Sequence, residues 1–136
     1  FDFGIFFTGS ANRTIMISGI APFCSDDGNQ DRNLMKFIAD DYWSESNPDP
    51  RAAYPRLGVS KPQVANNLVA SSYWIRNGNF IRFKTLEFGY SFKIARVYLS
   101  GDNIAVWSPF KLWDPELTFD AYPLQRTFNL GVQFKF

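Results

Sequence analysis

From Thr127 to the last residue the chain alternates without a break. Phe128, Leu130, Val132, Phe134 and Phe136 fall on one side, and Thr127, Asn129, Gly131, Gln133 and Lys135 fall on the other. Successive side chains of a β-strand point to opposite faces, so this segment is a strand with one wholly apolar face. Such a face has to leave water. Burying each of those large side chains is worth roughly 1.5 to 3 kcal/mol.

Three more strands follow the same logic. Phe1, Phe3, Ile5 and Phe7 alternate with Asp2, Gly4, Phe6 and Thr8 until Gly9-Ser10-Ala11-Asn12 ends the run, and Thr14 to Ser18 is expected to continue that strand beyond a bend. Residues 80–92 form the second, with Phe80, Arg82, Lys84, Leu86, Phe88, Tyr90 and Phe92 in the even phase. That face is strongly apolar only from Leu86 onward. Arg82 and Lys84 fit above a hydrocarbon layer, or a bulge turns them to the other face. Residues 96–107 form the third strand. Its apolar phase passes from Val97 and Leu99 to Ile104 and Val106 across Gly101-Asp102-Asn103, which predicts a β-bulge or bend.

The strands therefore cover about residues 1–10, 80–92, 96–107 and 125–136, with long connections at about 11–79 and 108–124 and a tight one at Lys93-Ile94-Ala95. Within the first long connection, Ser25-Asp26-Asp27-Gly28-Asn29 is a turn signal. Leu34, Phe37, Ile38 and Tyr42 are spaced by three and four, which predicts an amphipathic helix over Asp31 to Trp43, ended by Asn47-Pro48-Asp49-Pro50.

Composition narrows the function classes. Lys plus Arg number 14 against 13 Asp plus Glu, so no basic surface supports a nucleic-acid partner. The chain has no His, which removes His-dependent catalysis and most zinc chemistry, and its single Cys24 excludes an internal disulfide framework. No nucleophile–base pairing is visible, so no enzyme, cofactor or metal is expected. The longest apolar runs, such as Ile104 to Trp107, fall far short of the roughly 20 residues of a membrane-spanning helix. The chain opens on Phe1-Asp2-Phe3-Gly4, inside a strand pattern, and is expected to be a carboxy-terminal piece of something longer.

A soluble β-sandwich alternates in the same way. Three features favour a transmembrane β-barrel instead: the uninterrupted apolar positions up to Phe136, the long-short-long connections, and aromatics near strand ends (Trp74, Tyr90, Phe92, Trp107) that suit interfacial girdles. Four strands cannot close a barrel, and a bilayer does not tolerate open sheet edges. A larger partner sheet is therefore required. Short turns face the periplasm in such barrels, which puts the carboxy terminus there.

Tyr54-Pro55-Arg56-Leu57, the run from Ser72-Tyr73-Trp74 through Asn77-Gly78-Asn79 to Lys84, and Leu86-Glu87-Phe88-Gly89-Tyr90 resemble the carboxy-terminal region of the SusC/RagA family. Arg96 to Ile104, Trp107-Ser108, Trp113-Asp114-Pro115-Glu116 and the tail Arg126 to Phe136 continue the resemblance. These are TonB-dependent outer-membrane transporters of Bacteroidetes. The resemblance implies the last four strands of a barrel of about 22 strands, with a short helix in an extracellular loop. It implies import of oligosaccharides or peptides with a SusD-like surface lipoprotein, and a plug and TonB-binding segment upstream. Phe128, Leu130, Val132, Phe134 and Phe136 then resemble the signal read by the barrel-assembly machinery. A barrel retained as a scaffold and a soluble β-rich binding module are the alternatives.

Candidate site residues are few. Trp43, Tyr73, Trp74 and Trp113 offer flat apolar faces on which a sugar ring stacks, although loop packing or an aromatic girdle accounts for them better. Glu87 and Asp102 are expected on the lumen face, with wall hydration as the default role and substrate contact as the lesser one. Asp26, Asp27, Asn29 and Asp31 cluster hard oxygen ligands, but their spacing does not match a calcium loop. Asp114-Pro115-Glu116 signals a turn.

Overall fold

The computed structural model describes residues 1–17, 34–58, 62, 65–119 and 121–135. In chain order the strands are β1 (Asp2–Ser10), β2 (Thr14–Met16), β3 (Ile75–Asn77), β4 (Phe80–Ser91), β5 (Ala95–Trp107) and β6 (Thr127–Phe134). The chain divides into two units, Phe1–Ile15 with Arg76–Phe136, and Met16–Ile75.

The first unit is an all-β wall. β1, β4, β5 and β6 pair antiparallel in that order, which leaves β1 and β6 at the two edges. Directly opposed residues of an antiparallel pair share a face. Phe3, Phe88, Leu99 and Leu130 thus form one row across all four strands. Their exposures are 67%, 45%, 41% and 77%, so the described residues leave that row open. Tyr90, Val97 and Val132 form the next row, and the Phe1 ring lies 4.7 Å from that of Tyr90. The opposite face carries Asp2, Glu87, Arg96, Ser100, Asp102 and Asn129.

A bulge in β4 decides where its cations go. Phe6 opposes Thr85 but Phe7 opposes Phe83, so Lys84 is the extra residue. The parity of β4 inverts there. Phe83 joins the apolar face, where its ring stacks on Phe7 at 4.7 Å, and Arg82 opposes Thr8 on the polar face. The bulge reading for Arg82 holds, and the placement above hydrocarbon does not. The apolar phase expected at Val106 does not form, because Val106 opposes Arg82 on the polar face and Trp107 stands on the apolar one. β5 does have its irregularity at the expected place: its register against β4 shifts between Asp102 and Ala105, and Asn103 takes φ 53°. Asn tolerates that left-handed conformation better than most residues.

Close approach fixes one glycine on the polar face. A Cβ at Gly131 would meet the Tyr98 ring at 2.4 Å. The ring lies over the bare backbone and fills the space a side chain would take. Gly131→Val is expected to cost about 1 to 3 kcal/mol through overpacking. Denaturant unfolding in lipid checks this, and adding Tyr98→Ala in the same chain should recover most of the loss.

Two further local expectations fail. Thr14 to Ser18 does not extend β1: Thr14–Met16 is a separate strand pairing with β3, while Ser18 lies outside the described residues. Arg13 makes the corner, its N–H donating to Asn79 Oδ1 at 2.9 Å and its carbonyl accepting from Gly78 N–H. The helix over Asp31 to Trp43 shrinks to α1 (Lys36–Ala39), with residues 31–33 outside the described part. No side chain caps its start. Beyond its end, the Asp41 carbonyl and the Trp43 N–H are drawn into hydrogen bonds with the Tyr54 backbone at 3.1 and 3.0 Å. That exchange removes the groups a longer helix would use.

The second unit, Met16–Ile75, is loop-rich and has its own small core of Ile17, Ile38, Tyr54 and Trp74. Short 3₁₀ turns at Ala65–Leu68 and Ser72–Trp74 precede β3. No helix among the described residues is long and apolar enough to cross a membrane.

Candidate functional site

The polar face of the wall carries two arginine-centred clusters, each built by strand register. Arg96 on β5 reaches back across β4: its Nε donates to Asp2 at 3.0 Å and its Nη2 to Glu87 at 2.6 Å. Its guanidinium also lies 5.4 Å from the Tyr98 ring. Three strands are tied together there by one cation and two carboxylates.

The other cluster is more deeply set. Arg82 is 2% exposed. Its Nη2 donates to both Asp114 oxygens at 2.5 and 2.7 Å, its Nε to Glu116, and its Nη1 to the Asn103 side-chain carbonyl. Asn103 Nδ2 donates to the Gln125 carbonyl at 3.1 Å. One guanidinium therefore holds the outgoing limb of the loop between β5 and β6, while Asn103 holds its returning limb. Arg suits this role because its planar guanidinium holds donors on three nitrogens in a fixed fork, here directed at Asp114, Glu116 and Asn103.

The loop has local order of its own. Asp114 Oδ1 accepts from Glu116 N–H at 3.0 Å and its carbonyl from Leu117 N–H at 3.0 Å, so the expected turn forms. The Trp113 ring meets Phe110 and Phe119 edge-on at 4.7 and 5.4 Å, and its Nε1 donates to the Leu117 carbonyl. A cleft of about 280 Å³ opens beside Arg82, with Val106, Leu124 and Arg126 on its walls.

The sequence candidates are not gathered into one site. Glu87 is committed to Arg96. Asp102 is exposed on the polar face with a 3.4 Å contact from Thr85 Oγ1. Trp113 is half-buried in its loop, and Trp43 is half-buried in the second unit. Trp74, 1% exposed, is the centre of that unit, its Nε1 donating to the Asn67 carbonyl at 3.1 Å. It has no free face for a sugar and is not a girdle residue. Tyr73 donates its hydroxyl to the Ala53 carbonyl at 2.8 Å. Trp107, 55% exposed, stands on the apolar face opposite Ile81. Phe128, Leu130, Val132 and Phe134 are exposed along β6, while Phe136, Cys24, Asp26, Asp27, Asn29 and Asp31 lie outside the described residues.

Sequence reasoning passed over the Arg82, Asp114, Glu116 and Asn103 cluster. The signal available was the parity conflict at Arg82 and Lys84, together with two carboxylates in one short turn.

Comparison with known proteins agrees with the architecture. No protein-family model matches the chain. It is similar to TonB-dependent receptor P3 of Formosa agariphila, with 25% identity and all of this chain aligned, and to TonB-dependent receptor P26 of the same organism, with 28% identity over 71% of this chain. The chain spans about 15% of the length of the first and about 12% of the second. The sheet is a segment of a β-barrel wall, and the likeness is to TonB-dependent receptors.

Proposed function

We propose that this chain supplies the closing wall of an outer-membrane, TonB-dependent transporter of the SusC/RagA kind, importing oligosaccharides or peptides beneath a SusD-like lipoprotein. The observation that carries the reading is the unbroken exposed apolar face across four paired strands, backed by a charged and hydrogen-bonded face. A bilayer on one side and a wet lumen on the other account for both. The open edges of β1 and β6 are then completed by other strands of the same barrel, since a bilayer leaves no edge unpaired.

In this reading the short connection after β4 and the carboxy terminus face the periplasm, and the loops around 11–79 and 108–124 lie outside. The Arg82 cluster makes the last of those loops a fixed part of the lumen rim. Asp102 is the best placed of the substrate-contact candidates. The apolar row from Phe128 to Phe136 serves as the assembly signal, and TonB is engaged by a plug upstream of this segment.

The test uses the full-length receptor with its neighbouring lipoprotein. Outer-membrane fractionation and uptake of labelled oligosaccharides and peptides are measured with and without an uncoupler. Uncoupler-sensitive uptake of either class supports the proposal. A folded outer-membrane barrel that takes up neither would make it a scaffold, and recovery in the soluble fraction would make it a binding module.

A further inference from the structure

We infer that the outer rim of this wall holds a seat for a phosphorylated, acylated glycolipid of the outer leaflet. The inference rests on the barrel reading above and adds a ligand to it. A groove of about 690 Å³ lies at the ends of β1, β4 and β5, bounded by Gly9, Ala11, Ile81, Trp107, Pro109 and Lys111. Its floor is one register row: Gly9 opposes Ile81, and Ile81 opposes Trp107.

Gly9 ends that row on the edge strand, and its lack of a side chain leaves the flank of Ile81 uncovered there; a Cβ would meet the Phe80 carbonyl oxygen at 2.8 Å, so the position stays bare. One wall is fixed, because Ser108 Oγ donates to the Asn79 carbonyl at 2.7 Å and accepts from Phe110 N–H at 3.0 Å. Ile81 and Trp107 are 58% and 55% exposed and continue the apolar face of the sheet, so the groove opens towards hydrocarbon.

Its margin carries one charge. Lys111 is exposed and makes no ion pair or side-chain hydrogen bond among the described residues. An apolar channel continuous with a lipid-facing surface and ending at a free ammonium fits an acyl chain whose head carries phosphate. Lysine serves phosphate as a point charge, and an interfacial Trp marks the depth at which hydrocarbon gives way to headgroups. The groove stands at the long-loop end of the strands, which in such barrels faces outward. The occupant is therefore the leaflet's phosphorylated glycolipid and not a phospholipid of the inner side.

The full-length receptor is delipidated in detergent, and capture of bis-phosphorylated lipid A is read by native mass spectrometry. Dephosphorylated lipid A and phosphatidylglycerol are the competing probes. Wild type should hold bis-phosphorylated lipid A about tenfold more tightly than the dephosphorylated form. Lys111→Glu should remove that preference, and Ala11→Trp, which fills the groove, should remove capture while the barrel keeps its heat-resistant gel mobility. Unchanged capture by both folded variants overturns the inference, as does equal or tighter binding of phosphatidylglycerol. The assay reads lipid and not import. A receptor that holds the glycolipid but imports nothing fails the transport proposal alone, and one that imports but ignores the glycolipid fails this inference alone.

Discussion

Arg82→Leu should destabilise the barrel by about 3 kcal/mol and open the loop between β5 and β6 to protease. Removing one partner of a buried ion pair costs about 3 to 5 kcal/mol because the other charge is left stranded. Asp114 and Glu116 are 16% and 31% exposed, so water relieves part of the stranded charge and the low end applies. Arg82→Lys keeps the charge but loses the fork whose three nitrogens reach Asp114, Glu116 and Asn103 at once, and should fall between wild type and Leu. A triple change of Arg82, Asp114 and Glu116 to leucine or methionine tests the mechanism further. Removing all the charges together should recover much of the stability, since a buried pair is often no better than apolar packing. The readouts are unfolding in lipid vesicles and mapping of cleavage within residues 108–119. Wild-type stability with a wild-type cleavage pattern in Arg82→Leu would show that the loop is held by its aromatic cluster alone.

How much of this was legible in the sequence depends on how far apart the interacting residues lie. The β6 strand reads directly, because a period of two with no fault leaves one assignment. Pairing of β4 with β5 follows from the short connection between them, where Phe92 N–H and the Ala95 carbonyl close the turn at 2.7 Å. The faces of β4 do not read directly. A single inserted residue, Lys84, inverts every position before it, so even-numbered Arg82 stands on the face opposite to even-numbered Leu86. Nothing local to β4 says which residue is the extra one; the register with β1 does. The partners of Arg82 are still less visible, since Asp114 and Glu116 lie 32 and 34 residues away along a loop. The helix expected over Asp31 to Trp43 shows the converse error. Spacings of three and four suit a helix, but competing backbone partners at Tyr54 take the groups needed to extend α1. The aromatics divide similarly: Trp107 at a strand end meets the apolar face, whereas Trp74, close to a strand in sequence, is packed in a core.

Leu130→Arg should cost about 2 to 4 kcal/mol when the barrel is refolded into bilayers, the range for a cation near the midplane on the lipid face. Leu130 sits mid-strand in β6, in register with Leu99, Phe88 and Phe3, and is 77% exposed. In water such exposure would make an arginine harmless, and surface changes of that kind usually stay within about 0.5 kcal/mol. In hydrocarbon the same site must desolvate a charge or deform the membrane around it. Asn129→Arg is the matched control: one residue away, the same added charge, on the face that already carries Arg96 and Asp102. The two variants differ only in which side of the sheet receives the cation, so their difference isolates the solvent on each side. A large loss at Leu130 with little at Asn129 places hydrocarbon against Phe3, Phe88, Leu99 and Leu130 and water against the opposite face. Equal small losses would mean water on both sides, and the sheet would then have to bury its apolar rows against protein.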